Sequence, residues 1–156
     1  ISWLLVIAWM GLIFYLSHQP AEVSAQLSRG VLDTVGRVVS YIIELDIEAG
    51  PGGVGTYHHL LRKLAHGLMY LVLGVLLINA LQVSGIRGRQ AYVAAFVICV
   101  LYAITDEVHQ TFIPGRSGEA ADVLIDSAGA LIGLGLYWLG TGLVAADTKR
   151  HKKRAL

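Results

Sequence analysis

Apolar residues are gathered into four long runs, at 1–16, 64–81, 91–104 and 123–144, with most polar residues between them. About 20 apolar residues in a helix cross the hydrocarbon core of a bilayer. The pattern predicts one all-α domain over 1–156, a polytopic membrane bundle with four transmembrane helices at about 1–17, 60–81, 91–109 and 121–144. The first run is short because the chain opens at Ile1 without Met, which points to further residues upstream. A rival reading of that run is a signal peptide, since Val23-Ser24-Ala25 resembles a small-residue cleavage site. No basic stretch precedes it, so the span is preferred. The third run reaches spanning length only by including Thr105, Asp106 and Glu107. Its last turn must therefore enter the polar zone or a protein-lined cavity.

Between the first two runs, Leu27, Val31, Val35, Val38 and Ile42 recur at helical spacing, with Arg29, Asp33 and Arg37 off that stripe. Over 21–48 this predicts an amphipathic helix lying on the outer leaflet or over the bundle, as a lid or as a tether. The run Gly50-Pro51-Gly52-Gly53-Val54-Gly55 predicts a break after it.

Composition agrees with membrane insertion. Hydrophobic residues make up 55% of the chain and charged residues 15%, where a soluble domain carries charge on about a quarter of its residues. The net charge of +1 hides an asymmetry. Arg87 and Arg89 lie between the second and third runs, and Lys149, Arg150, Lys152, Lys153 and Arg154 crowd the tail at 147–156. Lys and Arg in short loops mark the cytoplasmic side, which predicts a multi-pass protein of the cell membrane with both termini cytoplasmic. The tail is read as a topology signal resting on anionic lipid. The basic residues lack interleaved aromatics, so nucleic acid is not an expected partner. Cys99 is the only cysteine, which rules out an internal disulfide, and reads as a small buried hydrophobe. Nothing in the sequence indicates an oligomeric state.

The polar residues inside the runs are more informative. A charged group at the centre of a span costs roughly 2.5–3.5 kcal/mol on insertion scales, so intramembrane charges mark sites of use. On helical wheels Arg62, His66 and Tyr70 share one face of the second span. Tyr102, Asp106 and His109 share a face of the third, with Glu107 and Gln110 adjacent. Asp122, Asp126, Gly129 and Gly133 align on the fourth, where the two glycines form a seam for close helix approach. Ser17-His18-Gln19-Pro20 closes the first span. With alternating span direction, all these groups reach the outer end. Pro114-Gly115 is a turn signal, and Arg116 beyond it suits bidentate contact with a carboxylate or phosphate. Glu119 suits the start of the fourth helix.

A family resemblance rests on these residues. The run Asp106-Glu107-Val108-His109-Gln110, then Phe112, Pro114-Gly115-Arg116, and Asp122 through Asp126 to Gly129 and Gly133 resembles the VanZ-like membrane proteins. Phe14-Tyr15-Leu16-Ser17 with Gln19-Pro20, and Arg62-Lys63-Leu64-Ala65-His66, are similar to that family's first two span signatures. The long segment at 21–56 departs from the pattern, as does Ile125, which leaves only two acids in this part of the fourth span. The resemblance implies a role in the cell envelope and in sensitivity to glycopeptide antibiotics such as teicoplanin. It implies a phenotype class and no particular reaction.

The expected site is an outer-leaflet pocket that acts on or binds a lipid-linked or cell-wall component. Asp106, Glu107, His109, Asp122 and Asp126 are its candidate acid–base groups, because a carboxylate beside a histidine forms a workable proton-transfer pair. Arg62, Lys63, His66, Gln110 and Arg116 are the candidate binding groups for an anionic lipid or precursor head group. Ser17, Thr105 and Ser117 lack a base at a recognisable spacing, so the sequence leaves catalysis open. His66, Asp106, His109, Asp122 and Asp126 carry metal-ligand atoms. No helix shows His-x-x-x-His spacing, however, so hydrogen bonding is the expected role of the histidines and no metal or other cofactor is expected. The alternatives are a non-catalytic lipid or precursor binder, or a small transporter with a structural charge network.

Overall fold

Backbone N–H and C=O groups find no water in hydrocarbon, so apolar runs of this length satisfy their hydrogen bonds within helices. The computed structural model describes residues 1–20, Gln26 and 53–154, with side chains at 1–20, Gln26 and 62–142. Among the described residues the helices are α1 (Ser2–Ser17), α2 (Gly53–Val83), α3 (Arg89–Gln110) and α4 (Ala120–Arg154). Three contain stretches long and apolar enough to cross a membrane: Arg62–Val83, Arg89–Gln110 and Ala120–Gly142. α1 is as apolar but only 16 residues long. The amphipathic helix expected over 21–48 lies, Gln26 apart, outside the described residues. Two boundaries differ from the sequence reading. α2 begins at Gly53, inside the glycine-rich run, and α4 continues as helix through the basic residues to Arg154.

Side-chain contacts give the direction of each helix. Trp3 and Trp9 of α1 donate to Ser84 Oγ (2.8 Å) and the Met69 carbonyl (2.9 Å), so α1 and α2 are antiparallel. Tyr102 Oη donates to the Met10 carbonyl (2.6 Å) and Ser17 Oγ donates to Asp106 (2.8 Å), so α1 and α3 are parallel. Lys63 meets Asp122 near one end of α2 and α4, and Tyr137 meets Gln82 near the other, so these two also run parallel. Ser17, Lys63, Gln110 and Asp122 consequently share one end of the bundle. Ser2, Val83, Arg89 and Gly142 share the opposite end.

α2 and α4 form the most extensive interface. Glycine makes it possible: a Cβ on Gly129 or Gly133 would strike the carbonyl oxygens of Gly67 and Leu71. Van der Waals packing of this kind drives helix association where lipid cancels the hydrophobic effect. α3 buries a stripe of small residues, Ala91, Ala95, Cys99 and Ala103, against the bundle. Cys99 is thus a buried thiol, as its apolar surroundings in the sequence predict. Leu64, Leu68, Val97, Leu101, Leu124 and Leu131 point outward, as expected of side chains facing lipid. Between α3 and α4, the Arg116 N–H donates to the Ile113 carbonyl (3.1 Å) across Pro114-Gly115. Gly115 has φ 76°, the left-handed value that favours glycine at this position of a turn.

Candidate functional site

The apolar stripe of α3 changes character in its last two turns. The i, i+4 spacing that buries Ala95, Cys99 and Ala103 continues into Asp106, Glu107 and Gln110, and all three are buried. Asp106 faces α1, where its Oδ2 accepts from Ser17 Oγ (2.8 Å). Glu107 faces the start of α4, where its Oε2 accepts from the Glu119 N–H (2.9 Å). Gln110 lies between them and donates to Glu107 Oε1 (2.9 Å) and more weakly to Asp106 Oδ2 (3.3 Å). Its own carbonyl oxygen accepts from Arg116 Nη1 (3.1 Å). One neutral amide therefore connects two carboxylates to a guanidinium.

α2 and α4 supply the other half. Lys63 reaches Asp122 (2.7 Å) and Glu119 (3.1 Å), forming an ion-paired triad at the mouth of the helix pair. One turn deeper, His66 Nδ1 lies 3.6 Å from Asp126 Oδ2, inside ion-pair range but beyond a hydrogen bond. Asp126 is fully buried, and neither of its oxygens has a hydrogen-bond partner. Asp106 Oδ1, Tyr70 Oη and Arg116 Nε are also buried without partners. Most buried polar atoms are paired, so several orphans at one end of a bundle are unusual. Burial and the nearby Arg62 charge both lower the Arg116 pKa, although a guanidinium keeps its proton. Among the described residues, no carboxylate lies within ion-pairing distance of Arg116.

His109 belongs to a separate contact. Its Nε2 lies 3.1 Å from His18 Nδ1, and its ring packs on Phe14 at a centroid distance of 4.5 Å. Among the described residues, His66, Glu107 and Asp126 form a group of ligand-type side chains in which one donor atom from each falls within 4.8 Å of the others.

This set of helices and polar residues corresponds to a known family. The VanZ/LLP1 family model matches residues 2–141. The chain belongs to the VanZ/LLP1 family. No curated protein and no solved structure matches it. Three spanning helices and this membership make it a multi-pass membrane protein.

In this VanZ/LLP1 protein, Lys63, His66, Asp106, Glu107, Gln110, Arg116, Asp122 and Asp126 gather at one end. Tyr102, Asp106 and His109 share a face, as the wheel predicts, and that face looks at Met10 and Ser17 of α1 and at His18, which caps it. His109 therefore sits beside the end of α1. Lys63, a candidate head-group cation, is salt-bridged to Asp122 and Glu119. Glu119 does more than complement a helix dipole, since its side chain holds Lys63 and its backbone N–H holds Glu107. Sequence reasoning did not single out Ser17 as the partner of Asp106. The signal was faint: a lone hydroxyl at the polar end of an apolar run. An apolar groove of about 730 Å³, lined by Tyr92, Phe96, Leu131, Leu134 and Trp138, lies near the opposite end between α3 and α4.

Proposed function

We propose that this VanZ/LLP1 protein binds or modifies an anionic lipid-linked or cell-wall component at the outer leaflet, and thereby alters sensitivity to glycopeptide antibiotics. Arg116 carries the proposal. It is a half-buried guanidinium with an unpartnered Nε, held by a neutral amide beside a set of buried carboxylates. Arginine presents a planar fork of donors that suits phosphate and carboxylate head groups. Arg62 is close enough to lower its pKa, so two cations meet at this end. The Lys and Arg bias at the other end favours a cytoplasmic location there, which puts the polar end outside and both termini inside. The family resemblance favours the envelope and antibiotic context. Binding alone accounts for the arrangement. Acid–base chemistry by Asp106, Glu107 or Asp126 would add a reaction on the bound head group.

The test is expression of the wild type, Arg116→Gln and Asp106→Asn in a glycopeptide-sensitive host, with membrane levels matched. Wild type is expected to shift teicoplanin sensitivity several-fold, and Arg116→Gln to abolish the shift. Mass spectrometry of envelope lipids then separates the two modes, because only catalysis creates or removes a lipid species. Full retention of the phenotype in well-inserted Arg116→Gln would reduce the polar end to a structural charge network.

A further inference from the structure

We infer that His66, Glu107 and Asp126 form a binding site for a divalent transition-metal ion, of the zinc or manganese class. The three side chains come from three helices, α2, α3 and α4, and one donor atom from each lies within 4.8 Å of the other two. Bonds of about 2.1 Å place ligand atoms about 3.4 Å apart in a tetrahedral site. Small side-chain rotations would close the remaining distance. Asp126 is the independent observation. It exposes 0% of its surface, and neither oxygen has a hydrogen-bond donor. A buried carboxylate without donors is costly unless a cation or a proton meets it.

Charge points the same way. Asp106, Glu107 and Asp126 are buried together, and among the described residues the hydrogen bonds to Asp106 and Glu107 come from neutral groups: Ser17, Gln110 and the Glu119 backbone. Lys63 is committed to Asp122 and Glu119, and among the described residues Arg116 is paired with no carboxylate. His66, 3.6 Å from Asp126, could meet at most one of these three negative charges as an imidazolium, whereas a divalent ion would meet two. Asp106, whose Oδ1 is unpartnered, stands beside the site as a further carboxylate. The hydrogen bonds to Glu107 from Gln110 and Glu119 orient it as outer partners orient a ligating carboxylate. One imidazole with carboxylates suits zinc, manganese or ferrous iron better than calcium or magnesium, which favour all-oxygen shells. Three protein ligands leave open positions, as in catalytic sites. A phosphate or carboxylate oxygen held by Arg116 would be a natural occupant.

This inference deepens the proposed reading of the polar end, but its test reads metal content and stability. Either can therefore fail without the other. The full chain, purified in mild detergent without chelator, is expected to carry about one zinc or manganese ion per molecule by elemental mass spectrometry. Chelation should lower its melting temperature, and zinc or manganese, but not magnesium, should restore it. Cobalt added to the stripped protein should give a visible ligand-field band, absent from His66→Gln. Asp126→Asn and His66→Gln should each weaken binding at least about tenfold, while Gly135→Ala, remote from the site, should retain the ion. If Asp126→Asn does not fold, the His66→Gln spectrum and the wild-type metal content decide. Wild-type protein that is metal-free, unmoved by chelator and unable to take up zinc, manganese or cobalt would overturn the site. Full metal retention in His66→Gln and Asp126→Asn would overturn this ligand set.

Discussion

Lys63 shows how much a single side chain depends on its neighbours. By composition it is one more cation beside Arg62, yet its ammonium lies 2.7 Å from Asp122 and 3.1 Å from Glu119. Asp122 is buried and Lys63 is partly exposed, so the pair matters mainly for what its loss leaves behind. Lys63→Met should destabilise the bundle by about 1–3 kcal/mol, the usual cost of a stranded buried acceptor. The Lys63→Met/Asp122→Leu double variant should recover part of that loss, since removing both partners of an ion pair is often close to neutral. Thermal melts of the singles and the double in one detergent measure the coupling. Additive losses would mean that the two charges do not support each other. Ser17→Ala is a gentler probe. It removes one donor from Asp106, leaves the Gln110 contact, and should cost about 1 kcal/mol in the same assay.

At the scale of elements, α2 and α4 carry the bundle because their backbones approach closely at Gly129 and Gly133. Gly135, two residues further on, has open space where a Cβ would sit. Alanine therefore tests packing against propensity within one helix. Gly135→Ala should be neutral or stabilising by up to about 1 kcal/mol, the ordinary helix gain. Gly129→Ala should be destabilising by about 1–3 kcal/mol or more, because a backbone carbonyl must move. Equal melting temperatures for the two variants would contradict the seam. The glycine pair and its spacing were legible in the sequence, as were the face shared by Tyr102, Asp106 and His109 and the turn at Pro114-Gly115. The partner of each face was not. Periodicity says which residues share a side of a helix, but not which neighbouring helix that side meets.

For the molecule as a whole, the polar end and the basic end lie on opposite sides of the apolar bundle, which makes orientation a single question. Cys99 is buried, so Cys99→Ala provides a cysteine-free background. Ser117 and Arg87 are exposed in loops at the two ends. An impermeant maleimide should label Ser117→Cys in intact cells, and Arg87→Cys only after permeabilisation. The reverse pattern would place the carboxylates and Arg116 in the cytoplasm and remove the outer-leaflet substrate from consideration.

Membrane insertion, the all-α class and the convergence of polar residues on one end followed from order and spacing along the chain, and the family from a resemblance of motifs that the family model bears out. Hydrocarbon admits few backbone solutions, so an apolar run of spanning length leaves little choice. Alternating span direction then assigns each polar cluster to an end without further information. Tertiary structure alone decided which charges are already matched and which are not. Lys63 was drawn to Asp122, His109 turned to His18, and Asp126 was left beside His66 and Glu107. Those outcomes depend on distances of a few ångströms between residues that lie on different helices and far apart in the chain, and local sequence patterns do not encode them.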